Sequence, residues 1–393
     1  MSAVLQAPEL DAHLRDAVER EDLPFVVAMV ADGKGVLWEG SAGESAPSVP
    51  AGPGAVFRIF SQTKAISAAA AMILIDRGLL TLDTPVASVV PEFGRVQVLE
   101  ALGPDGPVLR PPRTQCTVRH LLTQTSGFAY EGMEDRMTAF RNATGDPVVP
   151  IDSLETLLRY PMVFEPGSEC AYGVGVDWLG PVIESVDGRP ADRFCREEIF
   201  EPLGMTDTCF EPDACRDRLP QVRKRTGDGG FTAADVGPPR RPDMYGLGIC
   251  LYSTAPDYIR FLRMVLNRGV LDGERLLSER AVDLMTETQM PDGVRVGPIA
   301  SDDHTWSADV DLLPGIGVTW TAGLLRNEQN VPGRRAAGSL TWGGILNSHH
   351  WVDPANDVAA VYMTQALPFA EPRLMRRYED FERAVYRRLA DRR

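Results

Sequence analysis

The sequence of 393 residues contains little lysine: of its 40 basic residues, only Lys34, Lys64 and Lys224 are lysines. It also lacks a long hydrophobic run, since the longest apolar stretch, around residues 65–75, is too short to span a membrane. The net charge of −15 argues against nucleic-acid binding, which requires a basic face. No basic segment precedes an apolar one at the N-terminus, so we expect a cytoplasmic protein without membrane or nucleic-acid partners.

Several reactive arrangements are also missing. The six cysteines form no C-x-x-C pair, which predicts ordinary reduced thiols. Among the five histidines only His349 and His350 are adjacent, and on a strand their side chains would point to opposite faces. This spacing suits no metal, and we expect neither a metal nor a cofactor. No serine has glycine at both −2 and +2, so the Gly-x-Ser-x-Gly nucleophile elbow is absent.

The hydrophobic patterns predict an α/β (α+β) protein with strands near both ends of the chain. The length exceeds that of a usual single domain. We expect an antiparallel sheet flanked by helices, formed by residues 1–95 and 240–393, with a mainly helical domain inserted at 96–239. The predicted helices include 9–20, 61–77 and 373–392, the predicted strands include 25–31, 35–38, 336–345, 350–353 and 358–365, and residues 213–241 are predicted as a loop.

The tetrad Ser61-Gln62-Thr63-Lys64 opens the apolar helix predicted over 61–77. Residues three apart share a helix face, so the two end side chains are neighbours. A serine hydroxyl needs an adjacent base, and a desolvated lysine can serve as one. The helix N-terminus would favour an oxyanion at Ser61. The alternative is a capping serine followed by a surface lysine, but an isolated lysine in an Ala- and Ile-rich helix is costly without a role.

Further motifs follow in a fixed order along nearly the whole chain. With them the sequence resembles the serine β-lactamase and penicillin-binding-protein superfamily, and within it the class C β-lactamase-like family VIII carboxylesterases. The segments that carry this resemblance are Phe57–Lys64 around the nucleophile, Gly78–Val86 after it, His120–Gly127 (similar to HLLTHTSG), Glu165-Pro166-Gly167 with Tyr172–Asp177 (similar to PG…YSVGxD), Gly246–Asp257 and Trp342-Gly343-Gly344.

The resemblance implies a role for each matching position. Ser61 would be the acylated nucleophile, and Lys64 and Tyr172 would move protons, since a phenol near an ammonium group can exchange one with the leaving group. The backbone N–H groups of Ser61 and Ile345 would form the oxyanion hole. The strand Trp342-Gly343-Gly344 would bind substrate, although core packing or a lid contact also explains Trp342. A half-buried core position is the alternative for Tyr172.

Two departures from the antibiotic-hydrolysing pattern favour an ester site. The Tyr-x-Asn triad is Tyr172-Gly173-Val174 here, and the Lys-Thr-Gly box is Trp342-Gly343-Gly344. Tryptophan cannot bind a substrate carboxylate as an ammonium and hydroxyl pair does. We therefore predict a carboxylesterase that acts on short-chain or aryl esters through an acyl-Ser61 intermediate.

Three alternatives stay open at this point. An acyltransferase would use an alcohol or amine in place of water, and a β-lactamase or D-peptidase would share the fold and the nucleophile. A non-catalytic module that binds acyl groups or peptidoglycan fragments is the alternative of a different class. The expected partner is a small-molecule ester or amide, and the sequence leaves the oligomeric state open.

Overall fold

Strands from both ends of the chain pair into one antiparallel sheet. The computed structural model describes residues 7–145, 151–236 and 241–391. Its strands are β1 (Phe25–Ala31), β2 (Val36–Ala46), β3 (Val49–Pro50), β4 (Phe57–Arg58), β5 (Val98–Gly103), β6 (Gly106–Arg110), β7 (Arg223–Arg225), β8 (Phe231–Ala233), β9 (Tyr252–Ser253), β10 (Val270–Leu271), β11 (Glu274–Arg275), β12 (Val318–Trp320), β13 (Leu325–Asn327), β14 (Leu340–Gly344), β15 (Ser348–Asp353), β16 (Val358–Met363) and β17 (Ala366–Leu367). Within these residues the largest sheet has the order β12-β13-β14-β15-β16-β1-β2-β3.

Helices cover both faces of this sheet and make up much of the middle of the chain. They are α1 (Pro8–Glu19), α2 (Thr63–Asp76), α3 (Val86–Val89), α4 (Val118–Leu122), α5 (Asp135–Thr144), α6 (Leu154–Leu158), α7 (Leu179–Asp187), α8 (Ala191–Cys195), α9 (Glu201–Leu203), α10 (Ala255–Leu266), α11 (Glu279–Thr286) and α12 (Pro372–Ala390). Short 3-10 helices span Phe60–Gln62, Pro91–Arg95, Val174–Trp178 and Pro212–Arg218, and a π-helical turn spans Arg196–Phe200. None of the described helices is long and apolar enough to cross a bilayer.

The alternation of side chains along β1 explains the layers. All seven residues of β1 are buried. Phe25, Val27 and Met29 belong to the core shared with α2 and α10. Val26 and Ala28 belong to a second core formed with α1 and α12. Because successive strand residues face opposite ways, a strand that is apolar throughout requires helices on both of its faces.

The architecture predicted from the sequence is confirmed, and several boundaries differ. The predicted helix over 61–77 is a 3-10 turn at Phe60–Gln62 followed by α2 at Thr63–Asp76. The predicted strand over 35–38 extends to residue 46 in β2. The predicted loop over 213–241 contains a 3-10 helix and strands β7 and β8, while its residues 237–240 lie outside the described part of the chain. The proposed domain boundaries at 95 and 240 stay a prediction.

Candidate active site

Ser61 lies in the 3-10 turn that leads into α2. The preceding residue, Phe60, has a φ of 43°, a left-handed conformation that is unfavourable for a non-glycine residue. Such strain persists only where the surroundings hold it, and it often marks functional sites. The turn is held by Tyr258, whose hydroxyl donates to the carbonyl oxygen of Gln62 at 2.9 Å. Ser61 retains 8% of its accessible surface.

Strand β14 runs directly beside this turn. A Cβ atom at Gly344 would collide with the carbonyl group of Ile59, so only glycine allows this approach. The next residue, Ile345, lines the same cavity as Ser61. Its position is compatible with the predicted oxyanion hole, and the role of its N–H group stays a prediction.

Lys64 is fully buried and points back toward the nucleophile. Its Nζ donates to Ser61 Oγ at 3.2 Å, to Tyr130 Oη at 3.3 Å and to the carbonyl oxygen of Gly248 at 3.1 Å. The side chain therefore does not extend to the surface, and a surface lysine that follows a capping serine is excluded.

Tyr172 completes the group of side chains around Ser61. Its hydroxyl donates to Ser61 Oγ at 2.5 Å and accepts from Trp342 Nε1 at 3.1 Å. Lys64 Nζ lies 4.8 Å from the centre of the phenol ring. The ring also stacks on Trp320, with centroids 6.1 Å apart. The sequence resemblance placed Ser61, Lys64 and Tyr172 together, and the structure brings Lys64 and Tyr172 each within hydrogen-bond distance of Ser61.

Backbone contacts fix the segment that carries Tyr172. The N–H of Ala171 donates to the carbonyl oxygen of Gln124 at 3.0 Å, and the N–H of Gly173 donates to Gln124 Oε1 at 3.1 Å. The N–H of Tyr130 donates to the carbonyl oxygen of Tyr172 at 3.1 Å. Gln124 thus binds the residues immediately before and after Tyr172 and fixes the position of this tyrosine.

Tyr130 is a candidate functional residue that the sequence analysis missed. Its hydroxyl contacts Lys64 and its ring lies 5.3 Å from that of Tyr172, centroid to centroid. Burial raises the pKa of Tyr130 well above its usual range, so the phenol stays protonated at neutral pH. The sequence feature that could have indicated Tyr130 is its position three residues after Gly127, which ends the HLLTHTSG-like segment.

A largely apolar cavity of about 340 Å³ opens over Ser61. Its wall contains Trp342, Gly343 and Ile345, three of the residues predicted to contact substrate or the oxyanion. Gly344 packs against the nucleophile turn instead. The other lining residues are mainly apolar and include a few polar or charged ones: Phe60, Tyr130, Glu131, Gly132, Met133, Arg141, Tyr172, Ile249, Ile299, Ser301, Asp303, Trp306, Ser307, Val310 and Phe369.

The two adjacent histidines point to opposite sides of β15, as predicted. His350 contacts Gln62 Nε2 through Nδ1 at 3.1 Å. His349 stacks on Tyr378 of α12, with ring centroids 4.4 Å apart. Burial lowers the pKa of each imidazole to about 3, so both are neutral at physiological pH and pack as uncharged rings.

Comparison with known proteins places this arrangement in a family. The sequence profile of the Beta-lactamase family matches residues 10–384. The chain belongs to the Beta-lactamase family. Membership confirms the predicted superfamily and fold. It leaves the activity open, because the Tyr-x-Asn and Lys-Thr-Gly positions of this member differ from the antibiotic-hydrolysing pattern.

Several known proteins are similar to this chain over most of their length. The lovastatin esterase of Penicillium rubens is 30% identical over 352 residues, which cover 85% of each chain. The monacolin J acid methylbutanoyltransferase of Aspergillus terreus is 28% identical, covering 84% of this chain and 81% of that protein. The structure of unliganded simvastatin synthase from Aspergillus terreus superposes with a TM-score of 0.83 at 25% identity, covering 96% of this chain and 97% of the other.

Proposed function

We propose that the protein is a serine hydrolase that cleaves carboxylic esters through an acyl-Ser61 intermediate. The observation that carries this proposal is the position of Ser61 Oγ, 2.5 Å from the Tyr172 hydroxyl and 3.2 Å from Lys64 Nζ. A nucleophile held this way at the wall of an apolar cavity has both a proton route and room for a substrate.

In the proposed acylation step, Ser61 Oγ attacks the ester carbonyl carbon. The Tyr172 oxygen accepts the serine proton when the residue is a phenolate and the Ser61 hydroxyl donates the hydrogen bond between them, and a neutral Lys64 Nζ accepts this proton directly. This requires one member of the Ser61, Lys64 and Tyr172 set to be in its basic form. The set returns the proton to the leaving alkoxide as the C–O bond breaks, and an alcohol departs.

Deacylation runs through the same groups in reverse. A water molecule attacks the acyl carbon, its proton passes to the set, and the carboxylic acid leaves as Ser61 Oγ regains a proton. In both steps the N–H groups of Ser61 and Ile345 are the proposed donors to the tetrahedral oxyanion. The Trp342 indole N–H donates a hydrogen bond to the Tyr172 oxygen and so stabilises the phenolate form, which is the form that can accept a proton.

The lining of the cavity supports uncharged esters as substrates. Trp342 and Gly343 occupy the strand positions where the β-lactam pattern has a cation and a hydroxyl, and Phe60, Ile299, Val310 and Phe369 add apolar walls. An apolar acyl or aryl group gains by leaving water in such a site. We propose short-chain or aryl esters as the substrate class, and the cytoplasmic location stays a prediction.

Hydrolysis of short-chain p-nitrophenyl esters by the purified protein tests this function. The Ser61→Ala variant should lose turnover, and Tyr172→Phe should lose most of kcat with less change in KM, as expected for a group that transfers protons. Ester hydrolysis at the wild-type rate by Ser61→Ala would refute the assignment. Absence of both hydrolysis and Ser61 labelling by a fluorophosphonate would favour the non-catalytic binding module.

Transfer of the acyl group to an alcohol is a second candidate. It is favoured by the similarity to a protein named a methylbutanoyltransferase and by a cavity lined mainly by apolar side chains. The two outcomes share acyl-Ser61 and differ only in the acceptor. Product analysis with added alcohols separates them, since a transferase should form the new ester in preference to the free acid even when the alcohol is dilute.

A further inference from the structure

A fully buried carboxylate lies close to Lys64, and the catalytic steps above do not use it. Asp177 has no accessible surface, and it follows Tyr172 by five residues in the Val174–Trp178 helix. We propose that Asp177 is the counter-charge of Lys64 and thereby sets the pH at which Ser61 becomes a nucleophile. This proposal rests on the proposed function, and Asp177 acts in it as a positioning residue, through Lys64.

The two buried charges are joined through one residue of the backbone. Lys64 Nζ donates to the carbonyl oxygen of Gly248 at 3.1 Å, and the N–H of the same glycine donates to Asp177 Oδ1 at 2.8 Å. The two peptide groups that flank the Gly248 Cα atom therefore lie between the ammonium and the carboxylate. The carbonyl dipole faces the ammonium and the N–H dipole faces the carboxylate, so each stabilises the charge that it contacts, and burial leaves the attraction between the two charges weakly screened.

Gly246 and Gly248 pack closely against the carboxylate. A Cβ atom at Gly248 would collide with Asp177 Oδ2, and one at Gly246 would press on Oδ1. Among the described residues Oδ2 has no hydrogen-bond partner. A buried carboxylate with one oxygen unsatisfied is expensive for folding alone. Its position is explained if the charge itself is needed.

Lys64 needs a compensating charge for the same reason. Within the described residues its Nζ contacts hydroxyl and carbonyl oxygens, and no carboxylate lies within ion-pair distance. An isolated ammonium in a dry site is strongly disfavoured. Burial raises the pKa of Asp177, and the positive charge of Lys64 opposes this rise, so the two groups interact.

The other titratable groups near this pair do not replace Asp177. Ser61, Tyr130 and Tyr172 face Lys64. Tyr130, Tyr160 and Cys250 interact electrostatically with Asp177. Burial raises the pKa of each of the three, so they are uncharged near neutral pH. Glu131 faces Tyr130 and Tyr160 rather than Lys64.

The pH dependence of kcat/KM for ester hydrolysis by Asp177→Asn tests the proposal. The amide keeps an acceptor for Gly248 and removes the charge, so the active set should release its proton more readily. The acidic limb of the profile should move to lower pH by about one pH unit, which is the order of magnitude expected for the Coulomb interaction between Asp177 and Lys64. The pH dependence of Ser61 labelling by a fluorophosphonate should move in the same way.

Asp257→Asn is the matched control. This aspartate is also buried and accepts hydrogen bonds from Thr208 Oγ1 and from the N–H of Asp207, and Lys64 does not contribute to its electrostatics. Its profile should coincide with that of the wild type. An unshifted profile for Asp177→Asn, or a variant that fails to fold, would overturn the proposal. If the protein hydrolyses no ester, the pH dependence of Ser61 labelling still tests the role of Asp177. Failure of the proposed function can therefore be distinguished from failure of this proposal.

Discussion

Replacing Asp177 by asparagine should change how the stability of the protein depends on pH. Burial raises the pKa of Asp177 from its usual 3.8 to about 6, although the positive charge of Lys64 opposes this rise. The unfolded chain therefore releases this proton at lower pH than the folded chain does. The sign follows: the folded state loses stability as the pH rises from about 4 to about 6, and the full cost is present above that range.

The difference between the two pKa values corresponds to about 3 kcal/mol. An asparagine does not titrate, so it avoids this cost. Its amide nitrogen would occupy the place of Oδ2, which has no partner among the described residues, and this costs about 1–2 kcal/mol at every pH. The pH-dependent part is therefore the quantity to measure.

Urea unfolding of the wild type and of Asp177→Asn at pH 4 and pH 7.5 measures it. The variant should gain stability relative to the wild type as the pH rises: its free energy of unfolding minus that of the wild type should be about 2–3 kcal/mol larger at pH 7.5 than at pH 4. An equal difference at both pH values would refute the reasoning, because it would mean that the carboxyl has the same proton affinity in the folded and unfolded chains.

Three further substitutions test the contacts around Ser61. Trp342→Phe removes the N–H donor to Tyr172, and kcat should fall about five- to tenfold, the value of one hydrogen bond. Tyr130→Phe removes a hydroxyl from Lys64, and kcat/KM should fall about tenfold. Gly344→Ala would push β14 away from the nucleophile turn, and activity should fall more than about a hundredfold, since such displacement misaligns the reacting groups. Steady-state kinetics with a p-nitrophenyl ester measures all three.

Each of these substitutions has a matched control. Trp320→Phe alters the other tryptophan beside Tyr172, whose indole makes no hydrogen bond to that hydroxyl. Tyr160→Phe removes a buried hydroxyl that bonds to Glu131 rather than to Lys64. Gly94→Ala adds a methyl group in open space. Losses in the controls as large as those in the test variants would contradict the assigned contacts.

Helices and strands were predictable wherever the same spacing of apolar residues extended over the whole element. The apolar run of β1 and the charged amphipathic pattern of α12 predicted both elements to within a few residues. Strand β2 was predicted too short, because Glu39, Ser41 and Glu44 interrupt its apolar pattern where the strand nears the sheet edge. Strand β7 was missed because all three of its residues are charged and carry no apolar pattern, although it pairs both with the nearby β8 and with β17, more than 140 residues later.

The sequence predicted the site residues that lie within a recognisable motif. It did not predict those that reach the site through contacts between distant parts of the chain. Ser61 and Lys64 are three residues apart, so their proximity follows from the helix alone. Tyr130 contacts Lys64 across 66 residues of sequence, and Asp177 reaches it only through Gly248. No local pattern encodes such contacts, because they depend on how the helical middle of the chain packs against α2.

The most direct test of the central claim is the intact mass of the protein during turnover of a slowly hydrolysed ester. The account predicts an increase equal to the mass of the acyl group, located by peptide mapping on Ser61, absent from Ser61→Ala, and longer-lived in Tyr172→Phe. An acyl group on a different residue, or ester turnover in the wild type that persists in Ser61→Ala, would contradict it.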